Sequence, residues 1–413
     1  MDRIDASYRF TTVHNPDLHA SQPPYPGGVD PLDFLAVDDQ LDDDERAVRD
    51  TVRAFAREQL APHVSDWYDA GTLPDDLGPL FGKLGLLGMH LEGYGCAGTS
   101  ATAYGLACRE LEAVDSGLRS FVSVQGSLAM YAIHRWGSDE QKDEWLPGMA
   151  TGERLGCFGL TEAEAGSDPG SMRTRARRDG DDWVLDGSKM WITNGTLADV
   201  AVVWAQTDDG IRGFVVPTHS PGFTATKIGR KLSLRASVTA ELAFDAVRLP
   251  ASAAFPEVRG LKGPLSCLNE ARFGIVWGVV GAARSCFAEA LDYTGTRTQF
   301  GAPLASYQLT QRKLADMCVA VTNASMVALR LGRLKDAGAL DPAQVSYGKL
   351  TNARAALDVA RTARGMLGGA GITLDHSVMR HMNNLETVVT YEGTEEMHLL
   401  SVGAALTGLP AFR

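Results

Sequence analysis

The chain has no Cys-x-x-Cys pair. Its six cysteines (Cys96, Cys108, Cys157, Cys267, Cys286 and Cys318) lie mostly in apolar stretches such as Tyr104-Gly105-Leu106-Ala107-Cys108. They read as reduced core thiols of a cytosolic protein, not as a disulfide framework. The nine histidines include no His-Glu-x-x-His, so no metal site is expected. Positive charge is also short: 39 Lys and Arg against 51 Asp and Glu leave a net charge of −12. Such a chain has no general attraction to nucleic acid or anionic lipid. A phosphate-bearing ligand would have to be held by local basic residues or helix N-termini. No uninterrupted apolar run reaches the length of a membrane span. The first residues, Met1-Asp2-Arg3-Ile4-Asp5, are acidic and lack the apolar centre of a leader peptide. The expectation is a cytoplasmic chain with neither nucleic acid nor membrane as partner. No repeat of fixed period is evident.

What is present suits a globular chain of two or three domains: 413 residues, 45% hydrophobic and 22% charged. Residues 1–35 carry Pro16, Pro23, Pro24, Pro26, Gly27 and Gly28 and read as an irregular arm. Asp42-Asp43-Asp44-Glu45 then opens a helix, its acidic first turn matched to the helix dipole, with Val48, Val52, Phe55 and Leu60 as the apolar stripe. Helical texture persists to about residue 156. From Cys157 it changes. Val184-Leu185, Asp186-Gly187 and Met190-Trp191-Ile192 predict a strand, a turn and a strand. Strands are also expected at 200–206, 213–217, 223–228 and 238–244. Their spacers are too short for crossover helices, so an antiparallel sheet is predicted. Helical periodicity returns over 265–296, 306–337, 341–367 and 395–407. The expected fold is α+β: an all-α domain over 36–156, an antiparallel β domain over 157–262 and a four-helix bundle over 263–413.

Gly93-Tyr94-Gly95-Cys96-Ala97-Gly98 fits G-x-G-x-x-G, the loop of nicotinamide dinucleotide-binding folds. That loop needs a strand before it and a βαβ unit around it. Neither is predicted here, so a tight glycine loop between helices is the favoured reading.

Other motifs accumulate in order. Cys157-Phe158-Gly159-Leu160-Thr161-Glu162 runs into Ala165-Gly166-Ser167-Asp168. Trp191-Ile192-Thr193-Asn194, Arg297-Thr298-Gln299-Phe300-Gly301, Met366-Leu367-Gly368-Gly369-Ala370-Gly371 and Tyr391-Glu392-Gly393-Thr394 follow. Taken singly, each has a plain structural reading. Trp191 could be β-core, Gly368-Gly369 a helix C-cap, Arg297 a solvated helix-end cation and Glu392 an exposed loop carboxylate. Taken together, and over about residues 40–410, they resemble the acyl-CoA dehydrogenase family.

The resemblance implies FAD as cofactor. It would be held by Phe158, Leu160, Thr161, Trp191, Ile192, Thr193 and Thr394, with Ser167 on the pantetheine or adenine side. Arg297 would reach the pyrophosphate of a neighbouring subunit's FAD, with Phe300, Gln308, Leu367, Gly368, Gly369 and Gly371 beside it. An arginine's planar fork suits phosphate, and glycines let backbone approach it. Asn269 and Arg272 match positions that contact CoA. Glu392 matches the base that removes the proton next to the thioester while hydride passes to flavin N5. A buried carboxylate of raised pKa suits that task. An electron-transferring flavoprotein as acceptor and a homotetramer are further implications.

Within the family, the stretch Arg109 to Ser120 is similar to glutaryl-CoA dehydrogenases of the decarboxylating type. Arg119 and Ser120 would bind the distal carboxylate, with Glu112 and Tyr391 as the residues that accompany decarboxylation. Seven residues separate Glu112 from Arg119, so a surface ion pair on one helix is the alternative. The expected reaction converts glutaryl-CoA to crotonyl-CoA and CO2. The competing expectations are a short-chain or non-decarboxylating acyl-CoA dehydrogenase and a non-catalytic flavin-binding interaction protein.

Overall fold

The computed structural model describes residues 28–411. Most of the expected arm therefore lies outside the described residues. From residue 28 to 36 the chain runs in turns and bends.

Helix α1 (Asp43–Phe55) starts where the acidic run predicts. Asp42 and Glu45 form a reciprocal capping box, and Val48, Val52 and Phe55 are buried. A π-helical turn, Ala56–Leu60, extends it. There follow α2 (Val64–Ala70), α3 (Leu77–Lys83), α4 (Ala101–Glu112) and α5 (Ser116–Ser123). A second π-helical segment, Val124–Met130, carries α5 on into α6 (Tyr131–Trp136); α7 (Asp139–Thr151) ends the helical layer. Gly93 to Gly98 joins α3 to α4 in turns, with Gly93, Tyr94, Gly95 and Gly98 at positive φ and no strand on either side.

Seven strands form one sheet: β1 (Gly156–Gly159), β2 (Arg175–Asp179), β3 (Asp182–Thr193), β4 (Val200–Thr207), β5 (Gly210–Pro217), β6 (Phe223–Lys227) and β7 (Thr239–Leu249). Their order is β1-β4-β2-β3-β7-β6, with β5 also on β4. The long ladders are antiparallel as expected. β1, however, lies parallel to β4, Gly156 opposite Val200 through Gly159 opposite Val203, and β2 touches β4 in the same sense. The sheet is mixed because the β2–β3 hairpin, not a helix, makes the crossover.

Asp186-Gly187 is not a hairpin turn. Both of its flanks pair with β7, and the pair of residues sits at a register shift inside the single strand β3. Gly187 has φ +139°, and Asp186 Oδ1 accepts from Ala246 N on β7 at 2.9 Å. The Asp-Gly pair serves a β-bulge instead of a turn.

The C-terminal layer contains α8 (Lys262–Thr296), a small hairpin of β8 (Thr298–Gln299) and β9 (Ala302–Pro303), then α9 (Gln308–Asp336), α10 (Pro342–Met366), α11 (Val378–Val388) and α12 (Glu395–Thr407). Asp341 and Gln344 form a capping box at α10, with Pro342 in its first turn. Helices α8 and α9 are long and apolar enough to cross a bilayer by composition. The most apolar stretch of α8 is 72% buried, which makes it a core helix. It packs between α4 and α10 and so joins the two helical layers. Glycines let it approach α4 closely: a side-chain carbon at Gly278 would lie 2.1 Å from Glu112 Oε2, and one at Gly281 would lie 1.8 Å from the Arg109 carbonyl.

Candidate active site

The turn between α11 and α12 carries Tyr391-Glu392-Gly393-Thr394. Thr394 caps α12 by accepting from Met397 N at 3.5 Å. Glu392 has φ +52°, a left-handed conformation that costs a non-glycine residue energy and persists only where surroundings impose it. Two cations impose it. Arg272 Nε donates to the Glu392 carbonyl at 2.7 Å. Lys349 Nζ donates to the carbonyls on either side, Tyr391 O and Gly393 O, the latter at 2.6 Å. Position 393 has to be glycine, because a side-chain carbon there would meet His398 Nε2 at 2.9 Å and Arg272 Nη2 at 3.2 Å.

Glu392 keeps some accessible surface, but its Oε2 is closed off and has no hydrogen-bond partner among the described residues. The solvated loop carboxylate is thereby ruled out. Burial raises its pKa, against the opposing pull of Arg119, Lys349 and Arg272. A carboxylate so placed is more basic than one in water and free to take a proton.

Arg119 is 0% exposed. Its Nε donates to Glu112 Oε2 at 2.6 Å and its Nη2 to the Tyr391 hydroxyl. Its Nη1 is buried and has no partner among the described residues. Glu112 also accepts from Ser116 Oγ at 2.8 Å. The surface pair on one helix is thus replaced by a buried pair bridging α4 and α5. Asp115 fixes the corner between them: it caps α5 through Gly117 N at 2.7 Å and accepts from Arg380 Nη1 at 2.6 Å and Asn384 Nδ2 at 2.9 Å, both on α11. Burial opposes the charge on Arg119, and Glu112 and Tyr391 more than restore it. Ser120 is buried beside it on α5.

With Lys349 charged, three cations (Arg119, Arg272 and Lys349) face two carboxylates, Glu112 and Glu392. Burial lowers Lys349 to about 7, so the site carries a positive surplus of one while that lysine is protonated and none once it loses the proton. His398, pushed down to about 3 mainly by burial, adds no charge. With Lys349 protonated, the pocket has the charge to balance one anionic group.

A cleft of about 280 Å³ is lined by Tyr131, Ser266, Asn269, Glu270, Lys335 and Val345 among others. Asn269 lies one turn before Arg272 on α8, and its Oδ1 accepts from Arg272 Nη1 at 3.5 Å. Asn269 fits a contact to an elongated ligand. Arg272 is in addition committed to the Glu392 carbonyl.

The expected flavin residues fall into two sets. Phe158 and Leu160 are buried, Phe158 tilted against Trp204 at 6.3 Å, so their side chains belong to the core and only their backbone is on offer. The Thr161 carbonyl accepts from Met190 N at 2.9 Å. Lys189 Nζ holds the Leu160 carbonyl at 3.0 Å and Glu162 Oε1 at 2.8 Å. Trp191 is not β-core: it is 59% exposed at φ +65°, turned outward at the second register shift of β3. Ile192 is buried and Thr193 half-buried. An exposed indole beside a backbone-bearing loop fits a flat aromatic ring. Ser167 stands exposed on the loop after β1. The second set, Arg297, Phe300 (98% exposed), Gln308, Gly368 and Gly369, is also exposed, whereas Leu367 and Gly371 are buried.

Motif reading missed Lys349 and Lys189. Lys349 does carry a signal: it shares a helical face with Val345, Asn352 and Ala356, all buried, where a solvated lysine does not belong.

Three domain models of one family match the chain: "Acyl-CoA dehydrogenase, N-terminal domain" over residues 42–153, "middle domain" over 157–247 and "C-terminal domain" over 258–407. The chain is 35% identical over 390 residues to the short-chain specific acyl-CoA dehydrogenase of Bos taurus mitochondria, covering 93% of this chain and 95% of that one. Among solved structures it is similar to a glutaryl-CoA dehydrogenase from Mycobacterium smegmatis in complex with FADH2: 62% identity, TM-score 0.92, 93% of this chain and 100% of the other. A chain in a structure of the electron transferring flavoprotein of Acidaminococcus fermentans is 32% identical with TM-score 0.86, covering 89% of this chain and 99% of that one.

Proposed function

The chain belongs to the acyl-CoA dehydrogenase family of flavoenzymes, and from that premise we propose that its substrate is glutaryl-CoA, which it oxidises and decarboxylates to crotonyl-CoA and CO2. The observation that carries the substrate is Arg119 Nη1, buried, charged and without a partner among the described residues. A simple acyl chain would leave that donor unsatisfied at a cost of about 1–3 kcal/mol, more for a charged group. The distal carboxylate of a glutaryl chain satisfies it.

The chain's own residues then act as follows. Arg119, aimed by Glu112 and Tyr391, anchors the distal carboxylate, with Ser120 beside it. Asn269 and the adjoining cleft take the CoA arm. Glu392, with its free oxygen in a dry setting, removes the α-proton. FAD supplies the acceptor for the hydride that leaves the β-carbon. The backbone of Phe158 to Thr161, the Trp191 face, Thr193 and Thr394 would hold it. Arg297, Phe300, Gln308 and the Leu367 to Gly371 turn would serve the FAD of a neighbouring subunit in a homotetramer. In the unsaturated product the bond to the terminal carboxylate breaks, CO2 leaves, and the electron pair delocalises toward the thioester. Glu392, now protonated, returns its proton to the γ-carbon. An electron-transferring flavoprotein is the proposed oxidant of the reduced enzyme.

A second reading, a short-chain acyl-CoA dehydrogenase, is favoured by the Bos taurus relative. Substrate choice separates the two, since a short-chain enzyme is reduced by butyryl-CoA and not by glutaryl-CoA, and product analysis then tests the decarboxylation. The proposal expects crotonyl-CoA and CO2 in equal amounts from glutaryl-CoA. Glutaconyl-CoA without CO2 would remove the decarboxylating step.

A further inference from the structure

We infer that Lys349 is a positioning residue for Glu392: its buried ammonium ties down the carbonyls on both sides of the base and holds the base in its left-handed conformation. The inference rests on the reading of Glu392 as the proton acceptor. Three observations carry it. Lys349 is 1% exposed, on the inner face of α10, where a cation is retained only if it is bonded. Its partners are Tyr391 O and Gly393 O, which bracket the one residue of that turn whose carboxylate lacks a partner. Arg272, from α8, takes the carbonyl between them. Three successive carbonyls are thus bound by two cations from two helices, and the strained residue lies in the middle.

Tying down the backbone fixes where the carboxylate points, and the charge acts on it as well. The groups that act on Glu392 are Arg119 from α5, Arg272 from α8 and Lys349 from α10; Tyr391 adjoins it in the same turn, and His398 on α12 faces Gly393. Of these, Arg119 pulls hardest on Glu392, Lys349 next and Arg272 least, and only Lys349 and Arg272 also hold the backbone of the turn. Burial drives Glu392 up and Lys349 down, and each opposes the other's shift. Lys349 therefore adds to Arg119 in keeping Glu392 ionised at a pH where burial alone would protonate it. Removing the charge moves the acid limb of the rate profile to higher pH.

The test is anaerobic stopped-flow reduction of the flavin by saturating glutaryl-CoA across pH, on the holoenzyme and on Lys349→Gln and Lys349→Arg. Glutamine offers a donor without charge; arginine keeps charge with altered reach. Lys349→Gln is expected to bind FAD, to lose about 10²-fold in reduction rate through a misplaced base, and to raise the acid limb by about one pH unit. Lys349→Arg is expected to be slower than the parent with the limb in place. A Gln variant with parental rate and limb would overturn the inference. So would an Arg variant whose limb moves upward, which decides the matter even if the Gln variant fails to fold. A parent protein reduced by butyryl-CoA but not glutaryl-CoA would sink the substrate reading alone, and the Lys349 comparison would proceed with butyryl-CoA. A parent reduced by neither would sink both.

Discussion

In the proposed function Glu392 and Arg119 divide the chemistry: one takes a proton, the other holds a charge. Glu392→Gln removes the acceptor and little volume. The variant is expected to keep its FAD and to lose about 10²–10⁴-fold in flavin reduction by acyl-CoA, measured by stopped flow. In the parent, burial raises the Glu392 pKa above its ordinary 4.5. Activity is therefore present above the raised value and lost as pH falls through it, not at 4.5. Arg119→Lys keeps a positive charge but loses the fork that serves Glu112, Tyr391 and a substrate carboxylate at once. Its kcat/KM for glutaryl-CoA should fall by about 10²-fold, some 3 kcal/mol, while butyryl-CoA turnover changes little. Equal losses on both substrates would show that Arg119 only supports the fold. At this scale the sequence was informative where a motif names a residue, as with Glu392. No motif names Lys349, whose only signal is the buried helix face it shares with Val345, Asn352 and Ala356.

Elements decide whether those residues meet. Arg119 reaches Glu112 because α4 ends, Asp115 turns the corner, and α5 begins on a cap tied to α11. The glycines of α8 allow this corner to nest. Gly278→Ala would set a methyl 2.1 Å from Glu112 Oε2 and 3.2 Å from Arg119 Nε. Helix propensity favours alanine there by about 1 kcal/mol, but overpacking costs about 1–3 kcal/mol and strikes the ion pair directly. The expected outcome is a lowered Tm and a loss of glutaryl-CoA kcat/KM larger than that for butyryl-CoA. A stabilised variant of unchanged selectivity would contradict this packing. Local pattern located α1, α8, α9, α10 and α12 well because each has an apolar face or a clear cap. It overlooked α11, where buried Arg380, His381 and Asn384 interrupt the short apolar stripe of Val378, Leu385 and Val388. It divided β3 in two because Asp-Gly marks turns and bulges alike, and only pairing with β7 distinguishes them.

Across the whole molecule, the acidic chain surrounds a local cationic pocket, so net charge and site charge have opposite signs. Composition revealed the first; only folding gathers Arg119, Arg272 and Lys349 from three helices. The mixed sense of the sheet was equally hidden, since β1 is four residues long and its partner lies about forty residues on. Global stability should also depend on pH. Burial lowers His90 to about 4 and His381 to about 3. Both stay neutral when folded and take up protons when unfolded. Their contribution is complete above about pH 6.5 and is lost as pH falls toward 4, at up to about 1.4 kcal/mol per histidine per pH unit. Tm of the holoenzyme should drop between about pH 7 and pH 5, and His381→Gln should flatten that slope by about one proton. A pH-independent Tm would mean that these imidazoles are not buried as described.

The central claim is that a buried guanidinium with one free donor selects a dicarboxylic acyl chain in front of Glu392. Anaerobic titration of the purified flavoprotein, following flavin absorbance, tests it most directly. The account predicts bleaching by near-stoichiometric glutaryl-CoA, with butyryl-CoA acting far less efficiently. Full bleaching by butyryl-CoA with none by glutaryl-CoA would contradict it.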